Sequence, residues 1–142
     1  MKKVLCVLLS LCLLCMLAAG CANASKSNFI DLTAMSSTLV FAEVSNIVTN
    51  PTAYEGKTIK MGGAYQANFF ALTGQYYHCV VVMDATACCP QGLEFEWKGK
   101  HKYPDDYPKD GAQIEVTGVF ESYEELGRTY YRLAADKLTA LG

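Results

Sequence analysis

Tyr76 to Trp97 reads YYHCVVVMDATACCPQGLEFEW. Tyr76 to Met83 is apolar on both faces, the pattern of a strand central in a sheet. Leu93, Phe95 and Trp97 alternate with Glu94 and Glu96, which predicts a half-buried strand. The loop between them carries two adjacent cysteines, Cys88 and Cys89, and then Pro90. The simplest register sets Asp84 opposite Gly92 and Cys79 opposite Trp97. It leaves the cysteine pair at the tip, on the order of 15 Å from Cys79 at about 3.3 Å per residue. A disulfide needs Cα atoms within about 7 Å. Cys79 is therefore expected to stay apart from the tip pair, as a small buried side chain.

The rest of the chain arranges itself around this hairpin. In Lys57 to Gln66, Ile59, Met61 and Tyr65 face one way and Lys60 and Gln66 the other, with Gly62-Gly63 marking a bulge or bend. Ala67 to Gln75, with Phe69, Phe70 and Gly74, reads as a loop or ragged hairpin end. Lys98 to Gly111 holds Pro104 and Pro108 and reads as a loop, in which Asp105, Asp106 and Asp110 belong to a solvated turn. Ile114, Val116 and Phe120 line the inner face of a fourth strand, with Gly118 as a second bend. Glu124 to Gly127 is a turn, and Tyr131, Leu133 and Ala135 begin a fifth strand. Upstream, Leu39, Val40, Val44, Ile47 and Val48 recur at helical spacing. Ser36 and Ser37 suit the N-cap, and Asn50-Pro51 ends the helix. The expected fold is all-β: five short antiparallel strands in a small Greek-key barrel, with a short N-terminal helix. A five- or six-stranded sandwich with a packed helix is the alternative.

A chain of 142 residues has room for one domain. Lys2 and Lys3 precede an apolar run, Val4 to Ala19, broken only by Ser10 and short for a membrane-spanning helix. Leu17-Ala18-Ala19-Gly20-Cys21 resembles the lipobox of bacterial lipoproteins, with Ala18 where that family prefers Leu. The resemblance implies a signal peptide over 1–20 and a diacylglycerol on Cys21. It implies a cell-membrane location, lipid-anchored on the extracytoplasmic face. Two or three acyl chains meet the requirement for stable anchoring. A rival cut after Ala22-Asn23-Ala24 would give a soluble secreted protein. Residues 21–37, rich in Ser, Asn and Ala, are expected to be a flexible tether, and 38–142 the domain. The stretch Ile47-x-x-x-Pro51-x-x-Tyr54-x-Gly56-Lys57-x-Ile59-x-x-Gly62 is similar to the lead into the first strand of extracytoplasmic bacterial OB-fold proteins. With the cysteine-bearing hairpin, Val40 to Leu138 resembles small bacterial OB-fold lipoproteins of uncharacterised function.

Composition narrows the function classes. The chain has 12 Lys and Arg against 14 Asp and Glu; without Lys2 and Lys3 ten cations remain, a net charge of −4. That balance gives no support to nucleic-acid binding, which needs clustered cations. No P-loop, G-x-S-x-G or H-E-x-x-H pattern occurs, and no enzyme is expected. His78 reads as a partly buried side chain rather than a base. The OB-fold resemblance implies a binding face flanked by the loops joining strands one to two and four to five. Those stretches carry Phe69, Phe70, Tyr76, Tyr77, Tyr123 and Arg128, rings that suit a carbohydrate or a protein partner but equally suit barrel core and rim. Cys88 and Cys89 could give two thiolates to zinc or copper(I), or close a strained vicinal disulfide. The candidate completing ligands His78, Asp84 and His101 are not locally spaced for a metal, and paired C-x-x-C spacing is absent. The expected protein is a lipid-anchored OB-fold binding module without catalysis or cofactor. The alternative is a metal-binding or thiol-redox protein using Cys88 and Cys89.

Overall fold

A computed structural model describes residues 28–142. The segment expected to be a signal peptide, the expected lipidation site Cys21 and the first part of the expected tether lie outside the described residues. Among the described residues six strands form one mixed sheet with one α-helix. In chain order they are β1 (Phe29–Asp31), α1 (Ser37–Thr49), β2 (Thr58–Phe70), β3 (Gln75–Met83), β4 (Pro90–Trp97), β5 (Gln113–Glu125) and β6 (Arg128–Ala140).

The helix follows from local chemistry. Ser36 is extended at φ −68° and ψ 155°, and its carbonyl accepts from the Val40 N–H, opening the first turn. At the other end Pro51 starts a short 3-10 turn, Pro51–Ala53, because the residue before a proline leaves the helical region. Val40, Val44 and Ile47, spaced i, i+4 and i+7, are buried in the core. Leu39 and Val48 are exposed, so the apolar stripe is narrower than the spacing alone implies.

The strand order is β1-β2-β3-β4-β6-β5, and β2 also pairs with β5, so the order returns on itself. β2 makes this possible by changing partner along its length. Thr58 to Ala64 pairs antiparallel with β5, and Ala64 to Phe70 pairs with β3. The handover falls at the glycine pair. A Cβ on Gly63 would stand 2.4 Å from the Val81 carbonyl oxygen, so only glycine admits this approach of two backbones. Gly118 meets the same condition, 2.5 Å from the Ala134 oxygen, beside the register shift where Thr117 pairs with Lys137 and Gly118 with Ala135. Side chains at period two then converge inside: Ile59, Met61 and Tyr65 from β2, Val80 from β3, Leu93 and Phe95 from β4, Ile114, Val116 and Phe120 from β5, and Leu133 and Ala135 from β6.

Several expectations are corrected. The strands number six rather than five, and three of them run 13 residues. The sheet is not purely antiparallel: β1 pairs parallel with β2 and β4 parallel with β6. The sixth strand comes from the expected tether. Phe29 to Asp31 pairs with Thr58 to Lys60, and Leu32 is fully buried. Apolar Ile30 and Leu32 have core surface to cover, and the Asp31 carboxylate then caps a 3-10 turn by accepting the Thr33 N–H at 2.9 Å. The β3–β4 register also differs. Val81, not Asp84, stands opposite Gly92, and Cys79 faces Glu94 rather than Trp97. Cys79 is half-buried on the outward side rather than in the core.

The loop 98–112 folds over one end of the sheet. It is pinned to β2 by hydrogen bonds from Tyr65 N to Ala112 O and from Gly111 N to Tyr65 O, both 2.8 Å. Asp110 adds a third tie, accepting the Ala67 N–H at 2.9 Å. Asp106 accepts the Lys102 N–H, so the pair Asp105-Asp106 sits in a turn.

Candidate functional site

Residues of β2 to β6, with Tyr107 from the loop 98–112, line a groove between the tips of the β2–β3 and β5–β6 hairpins. It consists of two adjoining hollows of about 270 and 280 Å³ that share Tyr77, Glu94, Tyr123 and Glu125. Tyr77 donates to Glu125 at 2.6 Å and so links one hairpin tip to the other. Tyr123 donates to Glu94 at 2.9 Å. Arg132 closes the far side: it meets Glu96 at 2.6 Å and Glu121 at 3.2 Å, and its guanidinium stands 4.7 Å over the Tyr123 ring. Tyr130 stacks beside Tyr123, with centroids 5.7 Å apart. Burial raises the pKa of Glu94, and burial followed by the Glu94 carboxylate raises that of Tyr123.

Most of the expected binding face is brought together here. Phe69 and Phe70 line one hollow and Tyr76 the other, while Tyr77 and Tyr123 belong to both. Phe69, Phe70, Tyr76 and Tyr130 remain exposed, with Phe69 the most open at 56%. Large rings left in water are costly unless something covers them. Arg128 is not part of the lining. It stands opposite Glu125 in the strand register at the β5–β6 turn, and Arg132 takes the place beside Tyr123. The carboxylates Glu94, Glu96 and Glu125 were absent from the expected set. The alternation in Leu93-Glu94-Phe95-Glu96-Trp97 already sends both of the first two outward.

Behind the groove the loop 98–112 packs an aromatic layer. Tyr65 meets His78 Nδ1 at 2.7 Å, and the His78 ring stacks on Tyr107 with centroids 4.1 Å apart. Burial raises the Tyr65 pKa, so Tyr65 keeps its proton in the hydrogen bond it shares with Nδ1. Burial lowers the His78 pKa. His101 lies flat on Trp97, centroids 3.5 Å apart. Both histidines therefore serve packing. His78 also stands six residues along β3 from Asp84, roughly 20 Å in an extended strand.

A second cluster sits at the β3–β4 tip. Asp84 Oδ1 accepts the N–H groups of Cys88 at 2.8 Å and Cys89 at 3.1 Å. Ala87 adopts φ +55°, which turns the chain back on itself. The two Sγ atoms are 3.2 Å apart, and Cys88 Sγ is 3.5 Å from Asp84 Oδ2. The hydrogen bond from Thr86 and those from the two backbone N–H groups depress the Asp84 pKa to about 2. The hydrogen bond shared with Cys88, and then burial, raise the Cys89 pKa. Among the described residues the three cysteines, Cys79, Cys88 and Cys89, are free thiols. Of the expected completing ligands, only Asp84 joins the cysteines.

A hollow of about 400 Å³ beside the start of α1 is the most roomy of those described, but apolar residues such as Val40, Val81, Val82 and Leu141 dominate its lining, and it holds no charged group. No helix of the described residues is long and apolar enough to cross a membrane. Comparison with protein-family models gives no match for this chain, and comparison with curated proteins gives none either.

Proposed function

We propose that the protein is a lipid-anchored, extracytoplasmic binding module of OB-fold type, and that its groove holds a neutral carbohydrate chain. The observation carrying the ligand site is the gathering of exposed Phe70 and Tyr130 with Tyr77 and Tyr123 around Glu94 and Glu125 in one hollow. Aromatic faces stack on the apolar faces of sugar rings, and carboxylates accept from sugar hydroxyls. The charge balance disfavours a phosphate backbone, since three carboxylates face the ligand and Arg132 is already paired with Glu96 and Glu121. The OB-fold reading draws support from a strand order that returns on itself, from the parallel β4–β6 pair, and from the groove's position between two hairpin tips.

The anchor rests on the Leu17 to Cys21 segment. It would hold the groove near the envelope surface on a tether that ends at β1. Two experiments test this function. Cys21→Ser should release the protein from the membrane fraction, and a variant that still fractionates as a lipidated species overturns the anchor. Phe70→Ala with Tyr130→Ala should abolish retention of the mature protein on immobilised neutral cell-envelope polysaccharide. Unchanged retention, with the fold intact by circular dichroism, overturns the groove.

A further inference from the structure

We propose that the β3–β4 tip is a metal site in which Asp84, Cys88 and Cys89 bind one zinc-class divalent cation. The site is separate from the groove and does not depend on the carbohydrate reading. Its ligand atoms all lie within 4.8 Å of one another. A tetrahedral ion with metal–sulfur bonds of about 2.3 Å and a metal–oxygen bond of about 2.1 Å requires a carboxylate oxygen and a thiolate sulfur about 3.6 Å apart. Asp84 Oδ2 and Cys88 Sγ stand at 3.5 Å. Two thiolates on the same ion require about 3.8 Å, against the observed 3.2 Å. Both cysteines are exposed, so a small rotation of one side chain supplies the difference.

The turn is built in a way that frees the donors. Asp84 uses Oδ1 for the backbone N–H groups of Cys88 and Cys89, while Oδ2 accepts the Thr86 hydroxyl and lies 3.5 Å from Cys88 Sγ. Thr86 contacts both Asp84 Oδ2, at 2.6 Å, and Cys88 Sγ, at 3.1 Å, and supports the donor set from behind. Two sulfurs select a soft or borderline ion over calcium or magnesium, and the carboxylate favours zinc over copper(I). Binding converts both thiols to thiolates and releases their two protons to solvent. The exposed position leaves a fourth coordination place for water or a ligand's donor atom.

The test uses the mature full chain in detergent, reduced with a phosphine and handled without oxygen. Cobalt(II) titration should give tetrahedral visible bands and a thiolate charge-transfer band at one ion per chain. Zinc should abolish both, and it should protect two thiols from alkylation. Cys88→Ser and Cys89→Ser should each weaken zinc binding at least about tenfold, the loss that even an outer-shell partner carries. Asp84→Asn keeps the Oδ1 acceptor and hence the turn, loses the charge, and should weaken binding by a similar factor. Cys79→Ser should change nothing. A reduced chain that binds neither cobalt nor zinc overturns the site, as does zinc affinity unaffected by both cysteine variants. Affinity unaffected by Asp84→Asn overturns the three-donor assignment.

Discussion

Gly62 and Gly63 are adjacent in sequence and opposite in consequence. An alanine at Gly63 would place its Cβ 2.4 Å from Val81 O, 3.0 Å from Val81 C and 3.2 Å from Val80 Cγ2. Two of those atoms are backbone of the partner strand, held by the Ala64–Val81 and Tyr65–Val80 register. They cannot retreat without loosening the ladder at the place where β2 hands over from β5 to β3. Overpacking of this kind costs about 1–3 kcal/mol. An alanine at Gly62 meets nothing closer than 3.7 Å, ordinary van der Waals contact, and neither glycine has a positive φ. There the smaller conformational freedom of the unfolded chain stabilises by about 0.4–1 kcal/mol. At about 4 °C per kcal/mol, Gly63→Ala should lower Tm by roughly 4–12 °C while Gly62→Ala leaves it level or slightly raised. Urea midpoints should order the same way at constant slope. Equal effects of the two substitutions would refute the proposition that closure of the sheet depends on backbone approach at Gly63.

Leu32→Ala removes a fully buried side chain and should cost about 2–5 kcal/mol by chemical denaturation; an unchanged midpoint would return residues 28–34 to a tether. His78 is held neutral by burial, so its folded pKa lies below its unfolded one. Its contribution is complete above the ordinary histidine range and is lost as pH falls through the depressed value. Urea midpoints should therefore fall on acidification below about pH 6.5, and NMR titration of the His78 ring should place its pKa below the ordinary histidine value; a His78 pKa at or above the ordinary value would contradict the buried placement.

The inward faces of the strands are legible in the sequence because burial on one side of a pleated strand imposes period two. Ile59, Met61 and Tyr65 illustrate it in β2, and Ile114, Val116 and Phe120 in β5. The bends are legible at Gly63 and Gly118 for a related reason, since glycine within a strand weakens it unless another backbone must come close. β1 is not legible. Phe29 to Asp31 pairs with Thr58 to Lys60, and no local period announces a three-residue strand whose partner is so distant in sequence. The hairpin register slips for a local reason. Asp84 captures the N–H groups of Cys88 and Cys89, which tightens the loop and shifts the pairing so that Val81 meets Gly92. The same capture brings Asp84 to the thiols, a join that ligand spacing alone does not suggest. In the groove, aromatic residues stand out by composition. Glu94 and Arg132 require the strand phase, because inward Leu93 and Leu133 fix their neighbours as outward.

The most direct test of the groove as the ligand face is chemical-shift mapping. Proton–nitrogen correlation spectra of the protein in micelles would be titrated with a soluble neutral cell-envelope oligosaccharide. The largest perturbations should fall on Phe70, Tyr77, Glu94, Tyr123 and Tyr130. Perturbations confined to the loop 98–112 or to the Asp84–Cys89 tip, with those five unmoved, would contradict it.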